Sequence, residues 1–246
     1  MKKIIFGIFL TGITSILYSQ EVLLEKNVEE QYTGTRGPNM RHYGHLYIGA
    51  GMVADFGEEE GTAIDWWRSG QFMFGYRYKL KLLSFYAIGI DIGYKYTSYF
   101  FEDRNANPFQ ELNPLTWQPE RDKHSLANSG IGLELYHRIN VGRRGNNLGK
   151  YFDTGIRGQW NFADVEDILI RTDEKNVPSM RTKINNRRLN YIEPFSYGLT
   201  ARIGFNKIAV HANYRLSDYF RDKINKSISI SIPEVPRLAA GVQFVL

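Results

Sequence analysis

The chain has no cysteine. That excludes disulfides, thiolate metal sites and a lipid-bearing N-terminal cysteine. After the first twenty residues it has no apolar run near the ~20 residues that a spanning helix needs. With a mean hydropathy of −0.38, a helical membrane protein is excluded. There is no basic stripe with interleaved aromatics. The formal charge is +5, and two lower without Lys2 and Lys3, which is too mild to argue for nucleic acid. Gly-rich phosphate loops are also missing. Gly130-Ile131-Gly132 lies inside an alternating stretch, where glycine relieves crowding or allows a bend.

The chain does have aromatic residues and strict alternation. Aromatics make up 14% of it, 16 Tyr and 15 Phe against 4 Trp, which suits strands better than a helical bundle. Residues 85–100 read FYAIGIDIGYKYTSYF. One register holds Tyr86, Ile88, Ile90, Ile92, Tyr94 and Tyr96; the other holds Ala87, Gly89, Asp91, Gly93, Lys95 and Thr97. That is a β-strand with one apolar and one polar face. Seven further segments alternate in the same way, beginning near residues 45, 71, 127, 152, 195, 208 and 237. Each is long enough for the ~9–11 residues of a tilted membrane strand, whereas strands of soluble proteins usually have ~5–6.

The first residues, MKKIIFGIFLTGITSILYSQ, form a positive n-region, an apolar h-region and a small or polar end. They predict a secretory signal peptide over 1–19 and hence an exported chain. Residues 20–44 are polar and acidic at first, and are expected to be a flexible periplasmic leader. The barrel is expected over 45–246. Connections alternate in length: tight at 79–83 and 205–207, shorter at 142–149, long at 102–121, 164–187 and 221–232. Long loops at one end and short turns at the other predict an outer-membrane barrel with both termini at the periplasmic end.

Aromatics on the apolar register fall into two groups. Tyr78, Tyr86, Phe152, Phe205 and Phe244 lie near the short-turn end; Trp66, Tyr96, Phe100, Trp160, Phe162 and Phe195 lie near the long-loop end. Two girdles about an aliphatic band mark the two faces of a bilayer. The apolar register therefore faces lipid. A bilayer offers backbone groups no hydrogen-bond partners, so the strands must close on themselves. The expected fold is all-β, an eight-stranded antiparallel up-and-down transmembrane barrel.

The polar register then lines the lumen. Arg77, Asp91, Lys95, Glu134, Arg138, Arg157, Arg202 and Arg215 are expected to form a charge lattice, with Lys79, Asp153, His211 and Arg237 also facing inward. Arg77, Lys79, Arg138 and Arg202 lie low on their strands and predict a basic periplasmic mouth that could capture an acidic segment, either the leader (residues 21–30) or a partner. The acidic clusters Glu58-Glu59-Glu60 and Asp164, Glu166, Asp167 read as solvated loops, with divalent-cation binding as the alternative. The chain closes on Leu238, Ala240, Val242, Phe244 and Leu246, alternating to its last residue. This resembles the C-terminal β-signal by which assembly machinery recognises the final strand of outer-membrane proteins, although that pattern usually ends in an aromatic.

The signal ending in YSQ, the segments EPFSYGLTARIGF (193–205) and ANYRLSDYF (212–220), and the closing strand together resemble the small outer-membrane β-barrel family of Bacteroidetes, the PorT-like and OmpX-like barrels. The resemblance covers 45–246 and is architectural. It implies an outer-membrane location and no catalytic residues or cofactors. It also implies a non-enzymatic scaffold or interaction role, including accessory parts of protein secretion or envelope assembly. The implied partners are outer-membrane lipid and lipopolysaccharide, the barrel assembly machinery and an envelope or secretion protein. Two alternatives stay open. One is a narrow channel. The other is a lipid A-modifying barrel enzyme, for which His124-Ser125 and His211 with Ser217 and Asp218 are the available residues. However, His124 and Ser125 are neighbours on a strand and point to opposite faces.

Overall fold

The computed structural model describes residues 35–54, 63–102, 121–142, 145–172, 180–221 and 234–246. The expected signal peptide, the first part of the expected leader, the Glu58-Glu59-Glu60 cluster and most of the connections 102–121 and 221–232 lie outside the described residues. Among the described residues there are nine strands: β1 (His42–Ala54), β2 (Gly70–Lys81), β3 (Tyr86–Phe100), β4 (Arg121–Val141), β5 (Lys150–Thr172), β6 (Met180–Arg187), β7 (Phe195–Phe205), β8 (Ile208–Arg215) and β9 (Leu238–Val245). Every neighbouring pair is antiparallel. Eight strands close a ring, β1-β2-β3-β4-β5-β7-β8-β9, and β9 returns to β1. The ring is an up-and-down barrel. Starting at His42, directly opposed residues lead around it through Leu80, Ile88, His137, Thr154, Ala201, Ala212 and Ala240. They return to β1 at Met52, ten residues further on. That stagger tilts the strands by roughly 35–45° and leaves an interior just wide enough for side chains to fill.

The alternation seen in the sequence becomes two surfaces. Outward residues are apolar and exposed: Phe74 is 52% exposed, Ile92 53%, Leu133 53% and Ile203 68%. Inward residues are polar and buried. β1 begins at His42, three residues before the alternation indicated. Residues 35–41 turn beneath the short-turn end, tied there by hydrogen bonds from His42 N to Thr35 O and from Lys81 N to Arg41 O.

One expectation is corrected. Residues 164–187 are not a charged loop. β5 runs on to Thr172 and pairs with β6 from Val165↔Arg187 to Thr172↔Met180, so a two-stranded hairpin stands on the outer end of the barrel. A bulge makes this possible. Ser129 pairs with Ala163 and Gly130 with Asn161, so Phe162 is an extra residue in β5. The extra residue switches the side-chain parity of everything that follows. Trp160 and Phe162 both face outward, while beyond the bulge Glu166, Ile168 and Ile170 are buried.

Both ends of the lumen are capped. At the outer end Val53, Tyr99, Leu126 and Ala239 from the strands pack with Ile64, Tyr191, Ile192, Tyr219, Phe220 and Val235 from the connections, forming an apolar core over the mouth. At the short-turn end Leu148 packs with Tyr151, Ala209 and Val245, backed by Tyr43.

Candidate functional site

Strand parity turns the charged residues inward, and register decides which of them meet. Arg77 lies opposite Asp91, Asp91 opposite Glu134, Glu134 opposite Arg157, Arg138 opposite Asp153 and Asp153 opposite Arg202. Like carboxylates set directly opposite each other are unfavourable, and Asp91 and Glu134 are relieved by cations from both sides. Arg77 bonds Asp91 at 2.8–3.0 Å, Arg157 approaches Asp91 at 3.4 Å and Glu134 at 3.9 Å, and Arg202 donates to Glu134. Arg138 forms a bidentate pair with Asp153 at 2.7 and 2.8 Å, and Arg202 reaches the same carboxylate at 3.2 Å.

Aromatic rings fill the space between the charges. Arg77 lies 4.4 Å from the Tyr47 ring centre and Arg138 3.8 Å from that of Tyr151. The Tyr47 hydroxyl donates to Asp91 at 2.9 Å. It can do so because Gly75 and Gly93 carry no side chain in its path: a Cβ on either would lie under 3 Å from that hydroxyl. Gly132 makes room in the same way for the Arg157 guanidinium.

Of the eight residues expected in the lattice, Arg77, Asp91, Glu134, Arg138, Arg157 and Arg202 are brought into one network. Arg215 sits higher, in the outer cap, bonded to Tyr99 at 3.2 Å and Glu234 at 2.9 Å. Lys95 lies between these two groups and lines a cavity of about 50 Å³. Sequence reasoning passed over Tyr47, Tyr136 and Tyr151. All three lie on the inward parity of their strands, so parity alone would have found them.

The basic periplasmic mouth is corrected too. Arg77, Arg138 and Arg202 are bonded to carboxylates inside the barrel rather than displayed at its mouth. The Lys79 ammonium donates to the Pro38 carbonyl, and Lys81 binds Asn39 at 2.9 and 3.0 Å. Asn39 in turn bonds Gly145 and Asn146 of the β4–β5 turn. The residues just before β1 thus cross under the mouth, while the acidic leader itself lies outside the described residues.

The acidic set Asp164, Glu166 and Asp167 is dispersed rather than clustered. Glu166 is buried and bonds His124 at 2.9 Å and Asn186 at 3.0 Å. Asp167 faces the other way, toward Asn185 and Lys183. Asp164, beyond the outer girdle residue Phe162, is half-buried. Burial lifts its carboxyl to about 6, with Arg221 opposing the shift only in part. In the cap, burial pushes the Tyr219 phenol well above its usual value. His124 is thus committed to Glu166, and its ring lies 5.0 Å from that of Phe101. His211 is buried in the lumen opposite Arg202. Asp218 is held by Arg237 at 2.7 Å. On the outward face, Leu238, Ala240, Val242, Phe244 and Leu246 run along the closing strand, and Leu246 N bonds Leu46 O at 3.0 Å.

Comparison with models of known protein families finds no match, and comparison with curated proteins finds none either.

Proposed function

We propose that this chain is an outer-membrane barrel with a non-enzymatic role, a membrane-embedded scaffold that holds its outer surface toward a protein partner as an accessory of secretion or envelope assembly. The observation that carries this reading is the combination of an apolar outer wall with a lumen filled by charges and capped at both ends. A barrel so built offers lipid its wall and a partner its outer surface. Among the described residues the hairpin of β5 and β6 stands furthest along the chain beyond the wall strands, and loops and hairpins held by a rigid barrel are where binding usually resides. The resemblance to PorT-like barrels points the same way.

The test is affinity capture of the tagged full chain in mild detergent, with wild type compared to a variant in which residues 169–183 are replaced by Asn-Gly, a tight hairpin turn. The expected result is one protein recovered with wild type in fixed proportion and lost from the trimmed variant, while both variants keep the folded barrel. Recovery of only lipid and assembly machinery from both chains would overturn the reading.

A further inference from the structure

Beyond the outer girdle the sheet sorts its residues by face. On the inner side of β4 and β5, Leu126, Glu166, Ile168 and Ile170 are buried. The outer side continues the apolar wall: strand parity leads from Tyr96 to Phe100 on β3 and from Ile131 to Ser125 and Lys123 on β4. Across this outer side Phe100 is opposed to Ser125, Ser125 to Asp167 and Asp167 to Asn185. The next row is Lys123, Leu169 and Lys183.

Two cations converge on Phe100. Arg68 lies 5.0 Å from its ring centre and Lys123 4.7 Å. Neither forms an ion pair among the described residues. Asp65 Oδ1 instead accepts from the Trp67 backbone at 3.2 Å, and Glu102, two residues beyond Phe100, forms no ion pair either. On β6, Lys183 lies 3.6 Å from Asp167, which also accepts from Asn185 at 2.6 Å. Arg181 and Arg187 share the parity of Lys183 and are exposed, and Arg187 donates to Asn185 at 2.9 Å. Five cations thus meet Asp167 and Glu102 on this side, and the sheet carries an excess of positive charge there.

Level and sign together indicate the ligand. Phe100 lies four residues beyond the girdle residue Tyr96, about 13 Å along a tilted strand. A lipid whose acyl chains lie against the wall at Tyr96 and Ile131 therefore ends its headgroup against Arg68 and Lys123. Phosphate oxygens accept charge-assisted hydrogen bonds from both guanidinium and ammonium groups. An acidic protein would feel the same charge, but only a membrane lipid is confined to this level above the wall.

We propose that this face binds the phosphate groups of a membrane glycolipid. One phosphate sits between Arg68 and Lys123 beside Phe100, and Lys183, Arg181 and Arg187 hold the headgroup along the hairpin. The proposal rests on the outer-membrane reading and names the lipid chemistry that the barrel selects.

The probe is diphosphorylated lipid A, with its dephosphorylated form as control. The detergent-folded full chain is incubated with each, and the lipid retained per barrel is counted by native mass spectrometry. Wild type is expected to retain the phosphorylated form preferentially. The double variant Arg68→Gln, Lys123→Gln is expected to bind it about tenfold more weakly or less, while both chains keep the unheated gel mobility of a closed barrel. Should that variant not close, Lys183→Gln with Arg187→Gln gives the same comparison on exposed residues. Equal retention of the two lipids, or equal retention by wild type and variant, would overturn the proposal. Displacement by inorganic phosphate would overturn the assignment to a lipid. A protein captured by wild type and lost from the double variant, with lipid retention unchanged, would give the face to an acidic partner. Each of these outcomes leaves the barrel closed in detergent; a chain soluble without detergent would remove the outer-membrane reading as well.

Discussion

Asp153 is fully buried and holds two guanidinium groups, those of Arg138 and Arg202. Removing one partner from such a cluster leaves charges that water cannot reach, and the cost is about 3–5 kcal/mol. Asp153→Ala should lower barrel stability by that order in urea titrations of the detergent-folded chain. Lys183→Ala is the control: its ion pair with Asp167 is 3.6 Å long, with the lysine side chain 66% exposed, and surface pairs contribute only about 0–1 kcal/mol. Equal losses in the two variants would mean that the lumen is wet enough to screen its charges. The inward direction of Asp153 was legible in the sequence, because side-chain direction follows a local period of two. Its double role was not. Arg138 and Arg202 lie on the two strands flanking β5, and only the pairing of all three strands puts one carboxylate between them.

At the scale of the element, β5 is the strand where sequence and structure part. Up to Phe162 its period of two is visible because its outward face is apolar. Beyond Phe162 the alternation fades into Asp164, Glu166, Asp167 and the polar residues of β6. With Ile168 and Ile170 turned to the buried side and charged residues set among them, the earlier alternation is lost and the stretch reads as a loop. The bulge at Phe162 has a further consequence. It turns Asp164 into the outer mouth, near Arg221 and Tyr219, where burial favours the neutral carboxylic acid. The neutral form binds a proton that the unfolded chain releases near its usual value of 3.8. Asp164 therefore contributes stability below about pH 4, and that contribution is lost as pH rises through about 6. Thermal unfolding should show this decline in wild type and a flatter profile over the same interval in Asp164→Asn. A profile unchanged by the substitution would place the carboxyl in solvent.

For the whole molecule, the central quantity is the apolar area on the outside. Isoleucine, leucine and phenylalanine side chains on all eight barrel strands are left exposed, an arrangement that water disfavours over so large a continuous surface and that lipid accepts. Unheated samples run on SDS gels should migrate differently from boiled ones and fractionate with the outer membrane, since a closed barrel keeps every strand edge paired. A soluble chain with no mobility shift would mean that something else covers this wall.

By itself the sequence determined the fold class, the number of barrel strands, the faces of their side chains and the positions of the two aromatic girdles. These follow from a short period and from the chemistry of the solvent on each face, which act residue by residue. Only the tertiary structure decided which charges pair, that apolar cores cap both ends, and that β5 grows a hairpin after an extra residue. These depend on register and closure. The ten-residue stagger around the ring brings together residues far apart in the chain, and no local pattern records that distance.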